Sequence, residues 1–231
     1  MTDAIRINKY LADQGVSTRR AADGLIESGK VFINGRRAVL GDKVLPTDTV
    51  EVKTSKKKVF SYYAYYKPRG IITHSPQKGE KDIVSSIPLK GVFPLGRLDK
   101  DSEGLILLTD DGRVTDRLLN PKYEHDKEYA VKTRVPVKDF QLKAMAKGME
   151  LEGMTTKPAK TKRLTEKSFS IILTEGQKHE IRRICDALSL PIDSLKRIRI
   201  MNIRIGDIKP GQFRKLEGTE LKNFLNTLGL E

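Results

Sequence analysis

Six consecutive residues without an apolar side chain, Lys53-Thr54-Ser55-Lys56-Lys57-Lys58, divide the 231-residue chain into two stretches, each with its own hydrophobic pattern. A run of this kind cannot cross a core, because each unpaired ammonium taken out of water costs several kcal/mol. It reads as a linker between separately packed units. The sequence therefore predicts a small domain over 1–54, a linker over 55–60 and a larger domain over 61–231.

In the first stretch, Ile7, Tyr10 and Leu11 keep helical spacing and Gly15 ends that turn. Ser17 is placed to cap a second helix over Thr18–Ser28, with Ala21, Ala22, Leu25 and Ile26 inward and Gly29 just past the end. Val31-Phe32-Ile33, the pair Asn34-Gly35 and Arg36 to Val39 predict a hairpin, and Thr49 to Val52 a closing strand. In the second stretch strands are expected at 60–66, 104–109, 128–134, 168–173 and 200–205. Helices are expected at 113–119, 137–147, 178–188 and 219–228. The two types are interspersed without regular βαβ alternation. That order predicts an α+β fold with a mixed or antiparallel sheet.

Charge narrows the function. Lys and Arg number 44 against 30 Asp and Glu, a net +14, which draws polyanions to the surface. Nucleic acid is the expected partner and a membrane is not. No apolar run approaches the ~18 residues a span needs, and Met1-Thr2-Asp3-Ala4-Ile5-Arg6 has no signal-peptide character. A single cysteine, Cys185, and three scattered histidines offer neither a disulfide nor a zinc spacing. The expectation is a reduced, cytoplasmic, metal-free monomer.

The order helix, Ser17-Thr18-Arg19-Arg20 helix, strand, Asn-Gly turn, strand over residues 4–52 resembles the small RNA-binding domain of the ribosomal protein S-four type. A helix N-terminus offers free amides to phosphate oxygens, and flanking cations add charge. Lys9, Ser17, Thr18, Arg19, Arg20, Lys30 and Arg36 are the candidate RNA contacts there.

The densest chemistry lies in Gly96-Arg97-Leu98-Asp99-Lys100-Asp101-Ser102-Glu103-Gly104, which runs through an apolar strand to Thr109-Asp110-Asp111-Gly112. Asp99, Asp101, Glu103, Gly104 and Asp110 fit part of a calcium-loop spacing. Yet Asp stands where that loop needs the longer Glu, and Pro94 and Gly96 interrupt any preceding helix. A structural turn is the ordinary fate of such residues and is expected for Asp101, Asp110 and Asp111. The whole string, however, closely resembles the active-site segment of pseudouridine synthases, in the RsuA/RluB/RluE/RluF branch that acts on ribosomal RNA. In that resemblance Asp99 is the catalytic residue. Three further segments resemble motifs of the same family. Thr174 to Cys185 carries the arginine, Arg182, that pairs with the catalytic aspartate, with Arg183 beside it. Lys127-Glu128-Tyr129 carries the tyrosine that stacks on the target uracil. Lys67-Pro68-Arg69-Gly70 shapes the cleft. In the last motif Leu195 supplies a pocket wall, and Arg199-Ile200-Met201-Asn202 looks most like the RluF members of the branch. Lys67, Arg97, Arg183, Lys196, Arg197 and Arg199 are the expected basic rim for RNA. Glu180 departs from the glutamine frequent at its position.

The resemblance implies a sheet domain with a central cleft and a cofactor-free isomerisation of uridine in structured RNA. Two alternatives remain open: an RNA-binding ribosome-assembly factor without activity, and the same chemistry on transfer RNA. A Cys185–His179 nucleophile pair is excluded by helical phase, since six residues at ~100° each leave the two side chains pointing apart.

Overall fold

The computed structural model describes residues 4–53 and 59–230. Residues 54–58, inside the lysine-rich stretch, lie outside the described residues.

The N-terminal unit is built from β1 (Ile5–Arg6), α1 (Ile7–Asp13), α2 (Arg19–Glu27), β2 (Val31–Ile33), β3 (Arg36–Arg37), β4 (Lys43–Val44) and β5 (Val50–Val52). β3, β2 and β5 form an antiparallel sheet and β1 pairs with β4. Asn34 and Gly35 both take positive φ, as the tight hairpin turn between β2 and β3 requires. Ile7, Leu11, Ala22, Ile26, Val31, Ile33, Ala38 and Val44 close a core of their own. The cap of α2 differs from expectation: Thr18 is the capping residue, its Oγ1 accepting the Ala21 N–H at 3.2 Å. Ser17 is instead turned inward, 6 % exposed, with its hydroxyl donating to the Thr18 carbonyl. Ala21 is exposed, and Ala22 and Ile26 form the buried stripe.

The second unit continues with β6 (Tyr62–Lys67), α3 (Ile83–Ser86), β7 (Phe93–Leu95), β8 (Glu103–Thr109), α4 (Arg113–Leu119), β9 (Lys127–Thr133) and α5 (Asp139–Lys147). After these come β10 (Glu150–Leu151), β11 (Met154–Thr155), β12 (Lys160–Thr165), β13 (Ser168–Leu173), α6 (Glu180–Ala187), β14 (Ile192–Ile200), β15 (Ile203–Arg204), β16 (Phe213–Lys215) and α7 (Gly218–Thr227). One mixed sheet runs β12-β13-β9-β14-β8-β6-β16, with β7 on β8 and β15 on β14. Its described pairings are antiparallel except at the centre, where β14 and β8 run parallel over Lys196↔Glu103 and Arg197↔Gly104. The strand expected over 200–205 is really a hairpin. Ile200 ends β14, Met201 turns at φ 49°, and β15 returns. The long β14 was invisible as a strand because Lys196, Arg197 and Arg199 break up its apolar residues.

Alternation along β8 defines the two faces. Leu105 and Leu107 point to one, packing with Tyr62, Ala64, Tyr66 and residues of α4 and α7. Ile106 and Leu108 point to the other, with Tyr65, Ile83, Val92 and Leu98. Farther along the sheet a second cluster joins Val131, Phe169, Ile171 and Leu195 to Ile181, Ile184 and Cys185 of α6. Tyr129 packs against both of these last two clusters, so they share a face and meet at its ring.

The junction that unites the two halves of the sheet admits only glycine at position 104. Its φ is +109°, and a Cβ there would lie 2.3 Å from the Arg197 carbonyl oxygen and 2.7 Å from the Arg197 nitrogen. Backbone on both sides leaves nothing flexible to yield. Gly104→Ala is therefore expected to lower unfolding free energy by at least about 3 kcal/mol, measured by urea denaturation. A loss under about 1 kcal/mol would mean that the junction can open without cost.

Candidate active site

The registers place four residues in a row across the central strands: Tyr129 opposite Arg197, Arg197 opposite Gly104, and Gly104 opposite Lys67. Directly paired residues project to one face, here the face on which the two clusters meet. The loop bearing Asp99 joins β7 to β8 and rests on this row. Arg197 donates from Nε to the Leu105 carbonyl at 2.7 Å and from Nη1 to the Arg97 carbonyl at 3.4 Å. Lys67, fully buried, donates from Nζ to the carbonyls of Ile71 at 2.7 Å, Pro68 at 2.9 Å and Lys100 at 3.4 Å. Burial drives the Lys67 pKa down to about 8, while Asp99, Asp101 and Glu103 act to keep its charge.

Each residue beside Asp99 is clamped. Thr73, buried, donates to the Leu98 carbonyl at 2.8 Å and accepts the Leu98 N–H at 3.0 Å. The Lys100 carbonyl accepts the Gly70 N–H at 2.8 Å, and the Lys100 ammonium meets Glu80 at 2.9 Å. Ser102 donates its N–H to the Asp99 carbonyl at 3.1 Å. The partly exposed Asp99 carboxylate is thus carried on a backbone with little freedom.

Two side chains reach it from the start of α6, across the seam between the clusters. Arg182 Nε lies 3.7 Å from Asp99 Oδ2, and Arg182 Nη2 donates to Ser102 Oγ at 3.0 Å. His179 Nε2 lies 3.4 Å from Asp99 Oδ1. His179 sits at φ 55°, a left-handed conformation that costs a non-glycine residue ~1 kcal/mol or more. Only its distance to Asp99 reveals His179, since nothing in a residue string announces a left-handed backbone. Asp99 is 41 % exposed at its side chain, so the shielding from water that a reacting carboxylate needs is not present in the free chain.

Tyr129 is half-buried on the row and packs against the cluster that contains Leu98, the neighbour of Asp99. Leu195 is buried in the cluster of α6. Arg183 donates to the Glu152 carbonyl. Cys185 is buried, its thiol pushed up to about 12 by burial, and it plays no part near Asp99.

Several residues expected to contact RNA are otherwise engaged. Lys67 and Arg197 are interior, holding backbone carbonyls. Arg199 is spent on Asp126 at 2.8 Å and Glu128 at 2.9 Å. Lys196, paired with Glu103, projects to the opposite face from Arg197 and lies 4.6 Å over the Tyr66 ring. Ser17 is buried, as described, and Thr18 is half-buried with its hydroxyl used as a cap. Lys9, Arg19, Arg20, Lys30 and Arg97 are exposed, and Arg36 is exposed beside Asp42 at 2.9 Å. The calcium alternative fails on geometry. Asp110 accepts the Ser61 N–H at 2.8 Å, and no three His, Cys, Asp or Glu side chains converge among the described residues. Asp111, fully buried, accepts the Tyr62 hydroxyl at 2.6 Å and pairs with Arg113 at 2.8 Å.

Asp99 with Arg182 and His179 beside it, and Tyr129 half-buried on the same face of the sheet, mark the candidate site. Residues 61–187 match the RNA pseudouridylate synthase family and residues 5–50 match the S4 domain. The chain belongs to the RNA pseudouridylate synthase family and is an RNA pseudouridine synthase. It is 39 % identical over 225 residues to the dual-specificity RNA pseudouridine synthase RluF of Escherichia coli O6:H1, covering 94 % of this chain and 77 % of that protein. It is 38 % identical to the ribosomal large subunit pseudouridine synthase B of Bacillus subtilis, covering 94 % of each. A crystal structure of a pseudouridylate synthase, 27 % identical, superposes with a TM-score of 0.71 over 97 % of this chain and 99 % of that one.

Arg182→Ala is expected to lower kcat roughly 100-fold or more, the usual loss when a preorganised charge partner is removed. Its melting temperature should change little, because the Arg182 side chain is partly exposed. An unchanged kcat in steady-state assays would show that the contact with Asp99 is incidental.

Proposed function

We propose that the chain converts uridine to pseudouridine in ribosomal RNA, that of the large subunit first, with Asp99 as the catalytic residue and Arg182 and Tyr129 as its partners. The observation that carries this reading is the Asp99 carboxylate, on a loop clamped at both sides, with Arg182 Nε at 3.7 Å and His179 Nε2 at 3.4 Å. The substrate class follows from the names of the relatives and from the net charge of +14.

In this reading Lys9, Arg19, Arg20, Lys30 and Arg36 of the small domain, with Arg97 at the cleft, hold phosphates. The target uridine leaves the stack at a cost of a few kcal/mol, least in a loop or bulge. Its base lies on the Tyr129 ring, a face that tolerates rotation because stacking has little directional preference. Asp99 acts at the sugar, as nucleophile on C1′ or as base, and the C1′–N1 bond breaks. The uracil turns, C5 bonds to C1′, C5 loses a proton and N1 gains one. Atoms and electrons balance without an external oxidant, reductant or water, so the residues present suffice and no cofactor is invoked. RNA seated over the cleft supplies the cover that the free chain lacks, which strengthens the Arg182–Asp99 attraction as water leaves. In the same reading the enzyme acts as a monomer in the cytoplasm.

The RluF relative is named dual-specificity, and a second reading adds transfer RNA as a substrate of this chain. One assay separates the cases. Release of the C5 hydrogen from uridine-labelled ribosomal and transfer RNA is expected for the wild type, on ribosomal RNA at least. In Asp99→Asn it is expected to fall by roughly 10⁴-fold or more while RNA affinity stays within about threefold. Equal release from wild type and variant would leave only an RNA-binding assembly factor.

A further inference from the structure

Glu180 opens α6 between His179 and Arg182, the two residues that reach Asp99, yet its own side chain turns inward and is 4 % exposed. Its Oε2 accepts the Gln177 N–H at 3.0 Å, while Oε1 is buried with no donor to bind. Two charged groups act on it from other elements: Glu175, in the loop ahead of the helix, and Lys127, on β9. Gln177 holds both carboxylates, its backbone N–H on Glu180 and its side-chain amide on Glu175. Glu175 is fixed in place, accepting the Lys157 N–H at 2.8 Å and the Gln177 side-chain amide at 3.3 Å.

Two carboxylates with no donor between them repel. One proton placed on Glu180 Oε1 converts the same contact into a hydrogen bond to Glu175. Burial and the neighbouring Glu175 raise the Glu180 pKa to about 7, against the Gln177 N–H and Lys127, which favour the anion. Partial burial opposes ionisation of Glu175, but the Lys157 N–H and the Gln177 amide outweigh it and hold its pKa low. The proton therefore belongs to Glu180. Lys127, itself lowered by burial and by the adjacent Arg197, is the group toward which an ionised Glu180 would be drawn, away from Glu175.

We propose that Glu180 is a positioning residue: the proton it shares with Glu175 clasps the 175–179 loop to the first turn of α6 and so holds His179 and Arg182 against Asp99. Loss of that proton opens the clasp and loosens both contacts. The sign follows from linkage. A carboxyl with a raised native pKa contributes stability that is full below its ordinary 4.5 and is lost as pH rises through about 7. The enzyme accordingly carries an alkaline brake at the entrance to its own active site. The inference rests on the synthase activity stated above and adds a regulator to it.

In Glu180→Gln the amide oxygen accepts the Gln177 N–H and the amide NH₂ donates to Glu175 at every pH, so the clasp stays shut. With uridine-labelled ribosomal RNA, wild-type kcat for C5 hydrogen release is expected to fall roughly fivefold or more between pH 6.5 and 8.5, with KM within about twofold. Over the same range Glu180→Gln is expected to lose less than about twofold. Parallel profiles for the two proteins would overturn the proposal. Amide exchange of residues 175–183 in the wild-type chain, corrected for its intrinsic pH dependence, provides a readout that does not depend on the variant folding. It should rise above pH 7 relative to β9, and an unchanged ratio would equally overturn the clasp. Absence of C5 hydrogen release by wild type at every pH would count against the activity, while the exchange ratio would still decide the clasp.

Discussion

Where the backbone of Arg197 meets Gly104, two antiparallel half-sheets are joined by a parallel contact only two residue pairs long. The chain can make this approach because position 104 has no Cβ and tolerates φ +109°. From that crossing the row Tyr129–Arg197–Gly104–Lys67 takes its register. The row in turn supports the Asp99 loop, whose carbonyls at Arg97 and Lys100 are held from below by Arg197 and Lys67. The geometry around Asp99 is therefore a property of the sheet more than of the loop. The loop inherits its shape from the cations it lies on.

Those buried cations also shape the electrostatics. Lys67 and Arg197 satisfy carbonyl oxygens, yet each sits near Asp99 or its loop and adds positive potential under the Asp99 carboxylate. Arg182 adds to it from the start of α6. Positive potential of this kind attracts phosphate and, in the proposed reaction, favours developing negative charge on a uracil freed from its sugar. With a net charge of +14, the protein draws RNA from a distance, and the local arrangement decides what happens to it.

Much of this was legible in the residue string. Asp99, Arg182 and Tyr129 lie in segments that resemble family motifs; the structure sets Arg182 Nε 3.7 Å from Asp99 Oδ2 and packs Tyr129 where two hydrophobic clusters meet. The small domain could be read from Asn34-Gly35 and from the helix beginning Thr18-Arg19-Arg20, although its cap was assigned one residue too early. What failed was the meaning of charge. Lys67, Arg197 and Arg199 were read as RNA contacts because a basic protein that binds RNA makes every cation a candidate. Burial, which separates a structural arginine from a surface one, depends on strand pairings between residues about 90 apart, such as Arg197 with Gly104, that no local pattern encodes. His179 was missed for a related reason: it reaches Asp99 across 80 residues of chain, through a left-handed backbone that residue identity does not signal. Glu180 was visible only as a departure, and its role needed the position of Glu175.

The central claim is that one flipped uridine can occupy the seam with its sugar at Asp99 and its base on Tyr129. A crystal structure of Asp99→Asn bound to an RNA hairpin containing its target uridine tests this most directly. The expected result is a single uridine out of the helical stack, its ring against Tyr129 and its C1′ nearest the residue-99 side chain, with water excluded from Arg182. A bound RNA whose bases all remain stacked, or a uridine seated away from these three residues, would contradict it.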